Sequence, residues 1–123
     1  MFTSIHIEGV GKTYVKPTGE VVHALAGVEM TLESGTFYSF VGPSGCGKTT
    51  LLHMIHGLLP PTDGQIFLNG KKIAGPSTNK ALVFQQALLL PWRNVVDNIK
   101  FGIENDRTNS EQERRKICEK YIQ

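Results

Sequence analysis

Gly42 to Thr49 reads GPSGCGKT and fits the spacing G-x-x-x-x-G-K-[ST] without a mismatch. That spacing suits one kind of chemistry. Successive backbone N–H groups turn inward on a phosphate chain, which needs backbone conformations that glycine tolerates best. Gly42, Gly45 and Gly47 supply them. Where such a loop opens a helix, the helix N-terminus adds unpaired N–H groups and a partial positive charge. Lys48 then sets an ammonium on the β- and γ-phosphates, and Thr49 offers a hydroxyl ligand to Mg²⁺. Thr50, one step further in, has its hydroxyl within reach of the α-phosphate. Pro43, Ser44 and Cys46 complete the loop. Cys46 reads as a small residue filling it rather than as a reactive thiol, although a helix N-terminus lowers a thiol pKa.

The loop needs a strand before it and a helix after it. Phe37 to Val41 is a short apolar run bounded by Gly35 and Gly42, which predicts a buried strand. From Lys48 the period changes. Leu51, Leu52, Ile55, Leu58 and Leu59 recur at helical spacing, and Pro60-Pro61 is expected to end the helix. His53 and His56 fall on its opposite face and read as solvent-side residues rather than a metal pair. His6 and His23 have no partner evident in the sequence.

Upstream, Ile5 to Val10 alternates and is β-branched, predicting a strand. A turn follows at Lys16-Pro17-Thr18-Gly19. Val21 to Leu25 and Val28 to Leu32 read as two strands broken at Gly27. Downstream, Thr62-Asp63-Gly64 reads as a turn and Gln65 to Leu68 as a strand. Asn69-Gly70 signals a hairpin into Lys71 to Ile73. Ala81 to Phe84 predicts another strand and Asn94 to Phe101 a short helix. Ser110 with Glu113 fits a capping box, behind which Ile117, Cys118, Tyr121 and Ile122 form a narrow apolar stripe.

Thirteen basic and eleven acidic residues leave a net charge of +2, too small a bias to argue for nucleic acid as a partner. Arg114, Arg115 and Lys116 alternate with Glu111, Glu113 and Glu119, as a solvated helix face does. No apolar stretch approaches the ~20 residues of a membrane span, and MFTSIHIEGV lacks the pattern of a signal peptide. Cys46 and Cys118 suggest no disulfide framework. The expectation is a cytoplasmic chain.

The phosphate cradle does not by itself separate kinases, GTPases and transporter ATPases. TTLLHMIHGLLPPTDGQIFLNGKKI, Thr49 to Ile73, and ALVFQQALLLPWRNVVDNI, Ala81 to Ile99, do: together they resemble the ATP-binding subunits of ABC transporters. LLPWRNV, Leu89 to Val95, and the AGPS before it narrow the resemblance to importers of nitrate, sulfonate, taurine and related solutes. It covers roughly residues 3 to 122. It implies an α/β P-loop NTPase core with an N-terminal antiparallel β subdomain, residues 1–123 being a partial ATP-binding domain that stops at the start of the helical subdomain. Tyr14 would stack on adenine. Gln85 would coordinate Mg²⁺ and sense the γ-phosphate. Ala87 to Arg93 would face a transmembrane permease subunit, with Leu90 and Trp92 as the contact candidates. The intact protein would form a homodimer around ATP and sit peripherally on the inner face of the cell membrane.

The resemblance also implies parts that are missing. Hydrolysis needs a carboxylate on Mg²⁺ and another to orient water. Asp63, Asp97 and Asp106 do not follow an apolar run, and neither an LSGGQ signature nor a switch histidine occurs. The sequence thus predicts ATP binding with little or no turnover by this stretch alone, a truncated chain, and an exposed apolar flank along Phe37 to Val41. The alternative is a non-catalytic nucleotide-binding remnant. A small P-loop kinase or GTPase would need a base-specificity motif or a basic lid, and neither is found.

Overall fold

A computed structural model of the protein describes residues 4–86, 88–104 and 109–122. The chain divides into two compact units, Met1–Leu82 and Val83–Gln123.

The first unit is built on an antiparallel sheet. β1 spans Ile5–Val15, β2 Val21–Leu32, β3 Asp63–Leu68 and β4 Lys71–Lys72, with spatial order β2-β1-β3-β4. The turn at Lys16 to Gly19 forms as expected: the Gly19 N–H donates to the Lys16 carbonyl at 2.8 Å, with Gly19 at φ +84°. β2 is one strand, not two. Gly27 does not break it but sits at φ +59° where the β1–β2 register shifts between Val10 and Lys12, and Gly9 at φ +58° lies at the neighbouring shift between Ile7 and Val10. Each shift is a bulge that glycine accommodates in the left-handed region, so the ladder continues past it. Asn69 and Gly70 both take positive φ, as a two-residue hairpin turn joining β3 to β4 requires. Asp63 and Gly64, expected in a turn, already belong to β3, with Asp63 opposite Gly11 and Gly64 at the register shift that follows.

Helix α1, Lys48–His56, packs on one face of this sheet. Ile7, Val10 and Ile66 from the sheet and Leu51 and Met54 from the helix form the buried core, flanked by Leu25, Val28, Phe40, Ile55, Leu59 and Ile73. Met54 is fully covered, whereas Leu52 and Leu58 of the expected stripe are exposed. The helix stops at Gly57, before Pro60-Pro61. Gly57 adopts φ +90°, and its N–H bonds to the carbonyls of His53 and Met54 at 3.0 Å, a glycine C-terminal cap. His6 and His23 do have partners: the hydroxyls of Ser4 and Thr31 lie 3.0 and 3.2 Å from the His6 ring, and that of Thr13 lies 3.1 Å from His23.

Two expected strands do not form. Phe37 to Val41 pairs with no strand among the described residues; Phe37 is 92% and Val41 91% exposed, and only Phe40 leans on the core. A strand needs a neighbour to hydrogen-bond, and none of the four strands offers this run an edge. Ala81 to Phe84 is likewise unpaired and straddles the division between the units.

The second unit holds α2, Val95–Phe101, and α3, Glu111–Ile122. Asn94 caps α2 by accepting the Asp97 N–H at 2.9 Å. The capping box of α3 is complete: the Ser110 N–H donates to the Glu113 carboxylate at 2.7 Å, and the Glu113 N–H returns a bond to the Ser110 hydroxyl at 3.3 Å. Of the expected α3 stripe, Cys118 is buried while Tyr121 and Ile122 remain exposed. Glu111 pairs with Lys100, and Arg115 with Glu119, but of the face expected to be solvated Arg114 is only 18% exposed. Asp106 lies outside the described residues. Among those described, no helix is long and apolar enough to cross a membrane.

Candidate nucleotide site

The loop from Gly42 to Gly47 carries no regular structure and leads directly into α1. Gly45 takes φ +81° and Gly47 φ +95°, so two of its glycines occupy the region that side chains avoid. The tightest fit is at Gly47. A Cβ there would lie 2.6 Å from the Leu25 side chain and 2.7 Å from the Ala24 carbonyl, so the end of the loop rests on the backbone of β2. Gly42 is held open by Cys46, whose Sγ would be 2.8 Å from a Cβ at position 42. Cys46 thus fills the loop, in the bland role its sequence position suggests.

Gly47 is the N-cap of α1 and no side chain caps it. The N–H groups of the helix's first turn have no partner within the helix, and none is supplied by a capping residue. No acidic residue occurs between Phe37 and Leu58. The partial charge of the helix end and the Lys48 ammonium therefore act together, without a local carboxylate to offset them. Lys48 turns back over the loop. Its Nζ donates to the carbonyls of Gly42 at 2.8 Å and Pro43 at 2.7 Å, with Cys46 Sγ at 3.4 Å. Thr49 is exposed at the start of the helix and Thr50 half-buried behind it. Ser44 is exposed at the loop tip. Behind the loop, a hollow of about 310 Å³ opens between Phe40, Val41 and Gly47–Lys48.

These features fit a polyphosphate. Uncapped N–H groups, an ammonium and hydroxyls come together on a loop whose last glycine leaves no room for a Cβ against β2.

Tyr14 is on β1 opposite Val22 of β2, in the same unit as the loop. Its ring is 41% exposed, with the Lys12 ammonium 5.5 Å from the ring centre. Lys12 in turn donates to the Pro60 carbonyl at 2.8 Å, which places this end of β1 beside the segment leaving α1. Gln85 and Gln86 are exposed in a bend that opens the second unit. Ala87 lies outside the described residues. From Leu88 onward the loop is apolar and open: Trp92 is 77% exposed and Leu89 70%. Leu89 and Leu90 both line a hollow of about 330 Å³ with Pro91, Val95 and Ile99, but Leu90 is half-buried, so Leu89, rather than Leu90, accompanies Trp92 on the surface.

The model of the family described as ABC transporter matches residues 25–123, which include this loop and everything after it. The chain belongs to the ABC transporter family. Among its relatives are the taurine import ATP-binding proteins TauB of Ruegeria pomeroyi and Pelagibacter ubique. The first is 45% identical over 81% of this chain and 37% of that protein, the second 41% identical over 91% and 42%. A dimeric, post-hydrolysis structure of the ATP-binding cassette MJ0796 with ADP and phosphate superposes with a TM-score of 0.80 at 30% identity. It covers 94% of this chain and 54% of that one. The ABC fold expected from the sequence is therefore the fold found, and the chain spans less than half the length of the curated relatives it matches.

Proposed function

We propose that this chain binds Mg-ATP through Gly42 to Thr50 and serves as the ATP-binding, energy-coupling part of an ABC importer for a small anion such as nitrate, a sulfonate or taurine. The observation that carries the reading is the uncapped N-terminus of α1 under a loop in which Gly45 and Gly47 take positive φ, with the Lys48 ammonium folded over it. The phosphates would replace the Gly42 and Pro43 carbonyls as partners of Lys48. Thr49 would offer its hydroxyl to Mg²⁺, and Tyr14 would offer its open ring to the adenine. The role of these relatives in taurine import supports the solute class.

The exposed apolar loop ending at Arg93 would meet a transmembrane permease subunit, the complete protein pairing with a second copy on the inner face of the membrane. Binding is the activity proposed for these residues. No run of four apolar side chains in the sequence leads into an acidic residue, where a catalytic carboxylate would be needed.

Calorimetric titration of the full chain with ATP and Mg²⁺ tests the core of this reading. Binding that is lost in Lys48→Ala supports it. Absence of binding by a folded wild-type chain, or binding indifferent to Lys48, sinks it.

A further inference from the structure

Asn98 lies one turn into α2, where asparagine is a poor helix former and a solvated side chain would be the ordinary outcome. Its carboxamide is instead fully engaged. Oδ1 accepts the Leu90 N–H at 2.7 Å, while Nδ2 faces the carbonyls of Leu90 at 3.2 Å, Arg93 at 3.0 Å and Asn94 at 2.9 Å. The first two contacts form a closed pair with the Leu90 backbone, as a neighbouring strand would. The others tie the same side chain to the far end of the turn that Arg93 N–H closes on the Leu90 carbonyl at 3.0 Å. Between those two tethers stand Pro91 and the exposed Trp92, with Leu89 immediately before them.

A second tie runs beside the first. The Arg93 guanidinium grips Glu104 at 2.7 and 3.3 Å, lies 4.9 Å over the Phe101 ring and reaches the Asp97 carbonyl at 3.5 Å. The loop is thus fastened to α2 by side chains, although it has no regular structure of its own.

We propose that Asn98 is a positioning residue: its carboxamide binds the Leu90–Arg93 turn to α2 and so holds Leu89 and Trp92 in the arrangement that meets the membrane partner. The inference rests on the reading of this loop as the permease surface. It also makes the loop and α2 one body, so that a push on Trp92 moves the helix.

The discriminating variant is Asn98→Asp. It keeps the volume, but puts a carboxylate oxygen that cannot donate against three carbonyls, so the side chain is expected to swing off the turn and release the Leu90 N–H as well. A space-filling role predicts that Asp is harmless and Ala harmful; a clamp predicts that both are harmful. Trp92 is the single tryptophan and reports directly on the loop. In both variants the Leu90 amide is expected to exchange with deuterium about tenfold faster, and iodide is expected to quench Trp92 more. Capture by the detergent-solubilised permease of a taurine importer should weaken by a similar factor, while ATP affinity stays unchanged. Unchanged Leu90 exchange and Trp92 quenching in Asn98→Asp overturn the clamp. So does a wild-type Leu90 amide that exchanges as fast as that of Trp92, a measurement that needs no variant. A loosened loop with undiminished permease capture overturns the docking role of the loop instead, and leaves nucleotide binding untouched.

Discussion

The Lys48 ammonium donates to the carbonyl oxygen of Gly42 at 2.8 Å, so the lysine at the head of α1 is tied back to the first residue of the phosphate loop. With Pro43 as a second acceptor, the lysine holds the loop closed using the same hydrogens that would engage phosphate. Lys48→Ala should therefore act twice. ATP affinity should fall by about 10- to 100-fold, the scale of losing charge-assisted bonds worth about 1.5–3 kcal/mol. The exposed Cys46 thiol, which loses the ammonium 3.4 Å from its Sγ, should also react more slowly with a maleimide in the absence of nucleotide. Titration calorimetry reads the first and thiol-labelling rates the second. A variant that binds ATP normally removes Lys48 from the site.

Gly47 gives a sharper steric test. It has φ +95°, and an added Cβ would meet the Ala24 carbonyl at 2.7 Å, a backbone atom that cannot swing aside. Gly70 shares the positive φ at +74° but has open space around its would-be Cβ. Gly70→Ala should cost about 1–2 kcal/mol, the price of the left-handed conformation alone. Gly47→Ala should cost more and should also weaken ATP binding, because relieving the clash shifts the loop off β2. Thermal melts of the two variants side by side separate strain from collision; equal melting temperatures would contradict the contact.

Much of this was legible in the sequence because it is local. The spacing of Gly42, Gly47, Lys48 and Thr49, the Asn69-Gly70 hairpin, the Asn94–Phe101 helix and the Ser110–Glu113 box each depend on residues within a few positions of one another. What failed depends on distant partners. Phe37 to Val41 has the composition of a strand, but pairing decides strands, and no described strand lies beside it. Gly27 looks like a break because a bulge is visible only against the opposite strand. Gly57 and Met54 are different: a glycine cap and an apolar residue three after Leu51 were readable signals, outweighed by the conspicuous Pro60-Pro61 and Leu52. Nothing local marks Asn98, whose role appears only once Leu90 is folded back on α2.

Met54 carries a prediction of its own. It is buried with Leu51 against Ile7, Val10 and Ile66, and these five residues are the whole buried cluster among the described residues of the first unit. In so small a core a cavity cannot be shared among many neighbours. Met54→Ala should destabilise the first unit by about 2–5 kcal/mol, whereas Leu52→Ala, on the exposed side of the same helix, should stay within about 0.5 kcal/mol. Urea unfolding followed by circular dichroism decides it, and similar midpoints for the two variants would refute the packing.

The second unit should respond to acid through its helix ends. Glu113 is held below the usual carboxylate range by the Ser110 hydroxyl and then by the Ser110 N–H, Glu104 chiefly by its bond to Arg93, and Glu111 chiefly by its bond to Lys100. Each favours the ionised form in the folded state. The stabilisation is therefore complete above the unfolded carboxylate pKa of about 4.3 and is lost as pH falls through the lower folded values. Helicity of α3 should accordingly hold from neutral pH to about pH 5 and decline below about pH 4. Glu113→Gln keeps a side-chain acceptor for the Ser110 N–H but cannot titrate. It should start with less helix at neutral pH and lose less on acidification, and Ser110→Ala should do the same by removing the bond that lowers the Glu113 pKa. Site-resolved carbon chemical shifts of residues 110 to 114 across that range would follow the cap itself. If the wild-type and Glu113→Gln profiles run parallel, the capping box is not what ties α3 to pH, and the Arg93–Glu104 and Lys100–Glu111 pairs become the groups to substitute next.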